Sequence, residues 1–268
     1  LTSAGSNDVF VAKLDANGSF DSVVISDDPD LTINTQANTT FGGTVSDLAT
    51  LTTDAGGSTI AKADITTTGN QTYNDEFVLN TSLTLTGGDA SFTAGIDGDG
   101  NDLTLNFTGN ATLDGGSTTI SGINNLTSLG GVATNGTITT SAQQNYSGPV
   151  TLLGSSTFQG TTGTFTGGLD GNTNDLTLNF SSGTTIDGNS VFSNLGNLTS
   201  KGPTALNGTI VTNGSQTYED AVELVGTTNL QGTSGTFTGG LDGKSNDLTL
   251  NFSDVTTIAG NSVFSNLG

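Results

Sequence analysis

Residues 164–180 read TFTGGLDGNTNDLTLNF, and residues 236–252 read TFTGGLDGKSNDLTLNF, with 15 of the 17 positions identical. The block GNSVFSNLG at 188–196 returns unchanged at 260–268. A spacing of 73 and then 72 residues separates the three tyrosines of the chain, Tyr73, Tyr146 and Tyr218. Repetition at a constant period is typical of proteins that stack one structural unit on the next.

The apolar residues of the repeat follow the pattern of a β-strand. In the segment DLTLNF, Leu103, Leu105 and Phe107 alternate with polar residues, so they lie on one side of an extended chain. Glycine and asparagine are abundant between such segments, and both accept the positive φ of a tight corner. No window shows the 3.6-residue period of a helix. We therefore predict an all-β fold, a parallel β-solenoid (β-helix) built from 72–73-residue repeats, with roughly a dozen turns of about 20 residues each.

Equivalent apolar positions of the copies recur in phase, and we expect them to stack in columns, one of which holds Phe77, Val150 and Val222. The alternative is a string of small β-sandwiches, one for each repeat. A length of about 72 residues is short for a sandwich, and no proline-rich boundary separates the copies. Continuous stacking is therefore the favoured interpretation.

The repeat divides residues 30–268 into two complete and two partial copies, 30–68, 69–141, 142–213 and 214–268. Residues 1–29 do not fit its phase. Their alternating run ends in Asp15-Ala16-Asn17-Gly18, which predicts a short N-terminal β-hairpin. We expect this element to cap the solenoid or to join a neighbouring molecule, through four buried assembly contacts, Val9, Phe10, Val11 and Leu14. Because the chain begins and ends within repeated phrases, we also expect it to be part of a longer, processed protein.

The composition argues against most kinds of enzyme. The chain has no histidine and no cysteine, and it has 4 Lys plus Arg against 25 Asp plus Glu, for a net charge of −21. There is thus no imidazole base, no thiolate nucleophile and no zinc–sulfur site. We predict that the protein is not an enzyme and has no catalytic residues and no cofactor. The charge predicts no nucleic-acid partner, and the lack of an apolar run of ~20 residues predicts no membrane insertion.

The acidic corner at residues 97–102, DGDGND, is the strongest candidate for a metal site. Calcium takes six to eight oxygen ligands, and the corner is similar to the calcium-binding turns of RTX proteins. Asp97, Asp99 and Asp102 are accordingly weak calcium candidates. The equivalent corners, DGNTND and DGKSND, lack the middle acid, so a plain turn capped by Asn and Asp is the favoured interpretation.

Two further surface features have a functional and a structural interpretation. Paired carboxylates would suit glycoside hydrolysis, but the neighbours Glu219 and Asp220 point to opposite faces of a strand. The three tyrosines could form an aromatic ladder for sugars, although stacked, half-buried strand residues are the favoured interpretation.

Two parts of the sequence resemble known repeats. The run DVFVAKLDANG at 8–18 is similar to the SBBP-type β-propeller repeat. The phrases QTYN at 71–74, QTYE at 216–219 and NDLT at 101–104 resemble β-strand repeats of large bacterial surface proteins, including filamentous-haemagglutinin-like adhesins. The second resemblance covers residues 30–268, and it implies an extracellular or cell-surface bacterial protein of rod-like shape that works in adhesion or as matrix.

These observations predict an extracellular structural repeat protein, which forms a rod or a head-to-tail filament of a bacterial surface or biofilm matrix. Self-association into a homopolymer is the expected interaction, with surface glycans as further candidate partners. The alternatives are the passive stalk of a large adhesin and, less favoured, an enzyme that acts on polysaccharides.

Overall fold

The computed structural model describes residues 10–14, 20–25, 29–259 and 262–268, with side chains for 29–114, 119–187, 190–259 and 262–268. In this part of the chain the regular elements are strands, and none is a helix. The chain divides into two compact units, residues 1–132 and 133–268. Both are parallel β-solenoids, and together they contain about 11 turns. The predicted all-β parallel solenoid is therefore confirmed.

The described residues of the first unit form sixteen strands. They are β1 Phe10–Leu14, β2 Phe20–Ile25, β3 Leu31–Ile33, β4 Thr39–Phe41, β5 Val45–Leu48, β6 Leu51–Thr53, β7 Ser58–Ala61, β8 Ile65–Thr67, β9 Gln71–Tyr73, β10 Glu76–Leu79, β11 Leu83–Gly87, β12 Ala90–Phe92, β13 Ile96–Asp97, β14 Leu103–Phe107, β15 Asn110–Ile123 and β16 Leu126–Ser128.

Strand β17, Gly131–Thr140, contains the boundary between the units. The strands of the second unit are β18 Gln143–Tyr146, β19 Val150–Phe165, β20 Leu169–Asp170, β21 Leu176–Leu195, β22 Leu198–Ser200, β23 Thr204–Thr212, β24 Ser215–Tyr218, β25 Val222–Gly232, β26 Ser234–Phe237, β27 Leu241–Asn246, β28 Leu248–Phe252, β29 Thr256–Ile258 and β30 Phe264–Leu267.

The core of the first unit includes three columns of inward side chains that represent the three faces of the turn, and further buried columns such as Leu31–Leu51–Gln71 lie beside them. Parallel pairing places each member over a residue about 20 positions earlier in the chain. The columns are Ile33–Thr53–Tyr73–Phe92–Leu113, Val45–Ile65–Leu85–Leu105–Ser128 and Thr39–Thr59–Phe77–Ile96–Ile120. Because strand side chains alternate, the residues directly before and after each column member in its strand point outward, and many of them are Thr or Asn.

The second unit has a core of the same kind, with a column on each of three faces. Its columns are Tyr146–Phe165–Ile186–Leu206–Leu224, Val150–Leu169–Phe192–Ile210–Leu230–Leu250 and Phe158–Leu178–Ser200–Tyr218–Phe237–Ile258. Neighbouring phenyl rings stack within a column; the Tyr218 and Phe237 ring centroids, for example, are 5.1 Å apart. These columns bury most of the large apolar side chains of the unit.

The expectation that equivalent residues of successive copies share one column is wrong. Tyr146 and Tyr218 are equivalent in sequence, yet they belong to different columns of the second unit. Three turns lead from Tyr146 to Leu206. The chain then passes the face of Ile210 and reaches the face of Tyr218, which is two faces further. Three faces make a turn, so the 72 residues from Tyr146 to Tyr218 correspond to three turns and two thirds, and the two equivalent tyrosines lie on different faces.

At the N-terminal side, β1 pairs with β2 in the antiparallel direction, with Phe10 opposite Ile25. Strand β2 then pairs in parallel with β4 and β5. The connection between β1 and β2 and the assembly candidate Val9 lie outside the described residues. For Phe10, Val11 and Leu14 the backbone is described and the side chains are not, so their burial in an assembly contact stays a prediction.

Candidate functional site

The acidic corner of the first unit is a tight turn after β13. Asp99 and Gly100 have φ values of 46° and 78°. Asp97 Oδ1 accepts a hydrogen bond from the Asp99 main-chain N–H at 3.0 Å, which is the usual way in which an aspartate stabilises a local turn. The carboxylates of Asp97 and Asp99 are exposed.

Asp102 has a different role, because it joins two successive turns of the solenoid. Its Oδ1 accepts hydrogen bonds from Asn124 Nδ2 at 2.8 Å, Asn125 N at 3.0 Å and Asn125 Nδ2 at 2.9 Å. Partial burial acts to raise the pKa of Asp102, but the three hydrogen bonds outweigh it and hold the pKa below its ordinary value. The carboxylate is therefore committed to a structural contact.

The geometry of this corner does not strengthen the calcium hypothesis. In the part of the chain that the structure describes, no group of three or more His, Cys, Asp or Glu side chains is placed to hold a metal ion. Asp97 bonds within its own turn and Asp102 bonds to the next turn. The assignment of Asp97, Asp99 and Asp102 to calcium stays a prediction.

The corners of the second unit repeat the same two kinds of aspartate hydrogen bond, one within the turn and one to the next turn of the solenoid. Asp170 Oδ1 accepts from Asn172 N at 3.0 Å and from Asn194 Nδ2 at 3.1 Å. Asp175 Oδ1 accepts from the main chain and the side chain of Asn197, at 2.8 and 2.9 Å. Aspartate–asparagine contacts between residues 22 to 24 apart thus join successive turns at these corners.

A cluster of charged side chains that the sequence analysis missed lies in the last copy. Glu223 and Asp242 occupy paired positions on adjacent turns. Lys244 Nζ lies 3.1 Å from Asp242 Oδ2 and 3.6 Å from Glu223 Oε2. A shallow surface depression of about 500 Å³ borders this pair, and its lining is mostly Thr, Gly and Ala. In the preceding copy the equivalent positions hold Thr151, Asp170 and Asn172, so the cluster occurs in one copy.

The two carboxylates and the ammonium group of this cluster form a surface ion-pair network. Hydrogen bonds from Asn266 and then Lys244 lower the pKa of Asp242, while the hydrogen bond and charge of Asp242 raise the pKa of Lys244. Glycoside hydrolysis needs a carboxyl group that holds its proton near neutral pH, and the lowered pKa of Asp242 opposes that role. The other acidic pair considered above, Glu219 and Asp220, is exposed.

A glutamine–tyrosine pair recurs in the core. Tyr146 Oη donates a hydrogen bond to Gln144 Oε1 at 2.8 Å. Gln144 Nε2 donates to the carbonyl oxygens of Gln159 at 2.8 Å and Ile138 at 3.1 Å. The same contacts recur in the pairs Gln71/Tyr73 and Gln216/Tyr218. Each pair is thus a polar network inside an otherwise apolar core.

All three tyrosines are at most 1% exposed, and burial raises the pKa of their hydroxyl groups. The hypothesis of an exposed aromatic ladder for sugars is therefore wrong, and half-burial is wrong as well. The reason is the spacing: residues i and i+2 of a strand share a face. The glutamine therefore enters the core beside its tyrosine and satisfies the buried hydroxyl.

One buried carboxylate is special to the first unit. Asp75 is 2% exposed, and its Oδ1 accepts hydrogen bonds from Thr59 Oγ1 at 2.7 Å and Thr53 Oγ1 at 2.9 Å. Among the described residues its Oδ2 has no hydrogen-bond partner. Burial raises the pKa of Asp75; the two threonine hydrogen bonds oppose the rise, and the charge of Asp54 adds to it.

Comparison with known proteins gives no match to a protein-family model, to a curated protein or to a solved structure. In the described part of the chain, no helix has the length and apolar character needed to cross a membrane. The geometry of the solenoid itself is therefore the basis for proposing a function.

Proposed function

We propose that this chain is an extracellular structural protein of a bacterial surface or biofilm matrix, which forms a rod or a head-to-tail filament. The observation that carries the proposal is the pairing of the core columns. In each unit, successive turns stack in parallel register over buried apolar columns, and the side chains facing outward are largely Thr, Asn and Asp. A fold of this kind gains length and surface as turns are added.

The acidic groups support the same proposal, because carboxylates that accept hydrogen bonds from a neighbouring turn stabilise the solenoid. Asp102 and Asp175 join successive turns, and the remaining net charge favours solubility of a repetitive β protein. A polysaccharide-acting enzyme is less favoured, since the carboxylate pair Glu223 and Asp242 is occupied by Lys244.

Electron microscopy and light scattering of the purified chain test this proposal. We expect rods or end-to-end polymers whose length distribution depends on protein concentration. Removal of residues 1–22 should abolish end-to-end assembly or destabilise the first turns, if this segment is the cap or joint. Separate globular beads on a flexible string, or polymers and melting curves that the deletion leaves unchanged, would contradict the proposal.

The second candidate is the passive stalk of an adhesin whose binding domain lies elsewhere. The exposed Thr- and Asn-rich faces favour it, because they offer a hydrated surface without a concave aromatic site in the described residues. A glycan array separates the two: a stalk without its own binding activity gives no signal, whereas specific glycan retention assigns recognition to the chain itself.

A further inference from the structure

Three buried oxygen atoms of the first unit have no hydrogen-bond partner among the described residues. They are Thr39 Oγ1, Asp54 Oδ1 and Asp75 Oδ2. The side chains of Thr39 and Asp75 lie almost entirely inside the solenoid, with 3% and 2% of the residue exposed. A buried polar atom without a partner destabilises a protein, and a bound ion or water is a usual reason for its presence. These atoms therefore indicate a ligand that supplies the missing contacts.

All three atoms belong to one corner of the solenoid interior. Asp75 Oδ1 accepts hydrogen bonds from Thr53 Oγ1 and Thr59 Oγ1. Asp54 directly follows Thr53 in the chain, and its charge acts on the Asp75 carboxyl group. Thr39 pairs with Thr59 in a core column, so its hydroxyl group lies on the same inner side. Two carboxylates and three threonines from three successive turns thus surround the same part of the interior.

This corner is lined by small side chains where the next turn carries aromatic rings. Thr53 pairs with Tyr73, and Thr59 pairs with Phe77. Because threonine fills less volume than either ring, the interior beside Asp75 is less filled and more polar than the rest of the core. Asp54 is only partly buried, so the corner is open to solvent at the side of its carboxylate.

We infer that this corner binds one hard divalent cation, with Ca²⁺ as the expected ion and with Asp54, Asp75 and Thr39 as its side-chain ligands. Calcium takes carboxylate and neutral oxygen ligands, and it completes its shell with main-chain carbonyl groups and water. The two carboxylates neutralise its charge, which removes the cost of holding the Asp75 charge inside the protein near that of Asp54. The ion joins successive turns, so its binding stabilises the first unit.

The second unit lacks this arrangement and supplies a control. Gly148 stands two residues after Tyr146, at the position equivalent to Asp75. Asp220 stands two residues after Tyr218, and its carboxylate is exposed. The cation site is therefore a property of the first unit, and it is independent of the proposed assembly into rods or filaments.

Calorimetric titration of Ca²⁺ into the full chain tests the site, in about 0.15 M salt to screen the exposed carboxylates. We expect one saturable site and a higher melting temperature with Ca²⁺ than with a chelator. Asp75→Asn and Asp54→Asn each remove a charged ligand and should weaken binding by about tenfold or more. Asp220→Asn should leave the affinity within about twofold, because it changes an exposed carboxylate alone.

The sign of the Asp75→Asn effect is a second measure, and it shows that the variant is folded. In chelator, the variant should be more stable than the unmodified chain, because it removes a buried charge without changing the size of the side chain. Saturating Ca²⁺ should remove or reverse this advantage, since the ion stabilises the unmodified chain alone.

Terbium luminescence gives a readout of position, because Tb³⁺ occupies calcium sites and emits when a nearby tyrosine is excited. Burial and then the charge of Asp75 raise the pKa of Tyr73, so the Tyr73 ring lies near the proposed ion. Tyr73→Phe should abolish most of the sensitised emission and leave the stabilisation by Ca²⁺ in place. Tyr146→Phe, in the second unit, should keep the emission.

Several results would overturn the proposal. Equal Ca²⁺ affinity in Asp75→Asn and Asp220→Asn, or Tb³⁺ emission that Tyr73→Phe leaves unchanged, would place the cation on exposed carboxylates elsewhere. Absence of saturable Ca²⁺ binding would also overturn it and would leave a proton shared by Asp54 and Asp75 as the explanation of their unpartnered oxygens. None of these results bears on filament formation, so failure of the cation site and failure of the assembly proposal are distinguishable.

Discussion

Replacement of Gln144 by alanine should destabilise the second unit far more than replacement of its neighbour Gln143. Gln144 is fully buried, whereas Gln143 is exposed. The first change removes the acceptor of the Tyr146 hydroxyl and the donor to the carbonyl oxygens of Ile138 and Gln159. The second change removes a side chain from the surface of the same strand, so it is a matched control.

The magnitude follows from these contacts. A buried hydroxyl without a partner destabilises by about 1–3 kcal/mol, and each further lost hydrogen bond contributes about 1 kcal/mol. The one buried methylene group that alanine lacks adds about 0.8 kcal/mol. Because neighbouring groups relax, we expect a net loss of about 3–5 kcal/mol in the free energy of unfolding. Gln143→Ala should change it by less than about 0.5 kcal/mol.

Urea unfolding followed by far-ultraviolet circular dichroism measures both variants, and a double variant tests the cause. Tyr146→Phe alone leaves Gln144 Oε1 without its donor. In Gln144→Ala/Tyr146→Phe the orphaned hydroxyl is gone, so the double variant should be more stable than the sum of the two single changes predicts, by about 1 kcal/mol or more. Equal effects of Gln144→Ala and Gln143→Ala, or strict additivity in the double variant, would refute the polar-network argument.

Three further predictions follow from single residues. Thr173 is a β-branched residue at φ 68°, so Thr173→Gly should relieve left-handed strain of about 1–2 kcal/mol. The greater unfolded-state entropy of glycine offsets about 0.5–1 kcal/mol of this gain, so the second unit should be stabilised by a net of about 0.5–1 kcal/mol in urea unfolding. Asp102→Ala removes three hydrogen bonds between turns and should lower the free energy of unfolding by about 1–2 kcal/mol, as well as speed hydrogen exchange at 124–126. Asp75 has a raised pKa, so its protonated form favours the folded state; this stabilisation is full below the ordinary aspartate pKa of about 3.9 and is lost as pH rises through the folded-state pKa. The advantage of Asp75→Asn over the unmodified chain should therefore grow as pH rises above the ordinary aspartate pKa and level off once pH has passed the folded-state pKa.

Each of these predictions has a control. Ser245→Gly relieves the same strain in the next copy, at φ 63°, and should match Thr173→Gly in sign. Asp97→Ala removes one local turn contact, and it should cost less than Asp102→Ala. Asp220→Asn changes an exposed carboxylate at the position equivalent to Asp75 and should show no comparable dependence on pH. A loss of stability in Thr173→Gly, equal effects at Asp97 and Asp102, or parallel pH curves at Asp75 and Asp220 would contradict the respective arguments.

The fold class was predictable because two local signals agree. The period-two alternation around Leu103, Leu105 and Phe107 marks an inward face, and all three side chains are buried. Glycine and asparagine mark the corners; Asn194, for example, has φ 53°. Such signals are local, and they need no knowledge of which strand lies over which. The surface-protein and SBBP resemblances, the domain boundaries and the extracellular location stay predictions.

The contacts between turns were harder to predict, since they depend on register. The pairing of Glu223 with Asp242 follows from the number of residues in that turn, and turn length varies along the chain. Gln144 gave a readable signal that was missed: it lies two residues before a tyrosine, and both belong to the face that alternation assigns to the core. The phrase QTY resembles a family signature, and in this structure its first and third residues are core residues.

The mismatch between repeat and turn has a consequence for the surface. Because the 72 residues from Tyr146 to Tyr218 make three turns and two thirds, the two tyrosines enter the core from different faces of the second unit. Outward residues of the same phrase are displaced in the same way, so a substitution retained in every copy would not build a continuous stripe along one face. A binding stripe would require a repeat equal to a whole number of turns. The 72-residue period therefore favours a role in which all faces are alike, as in a structural shaft, over one in which a single face recognises an extended ligand.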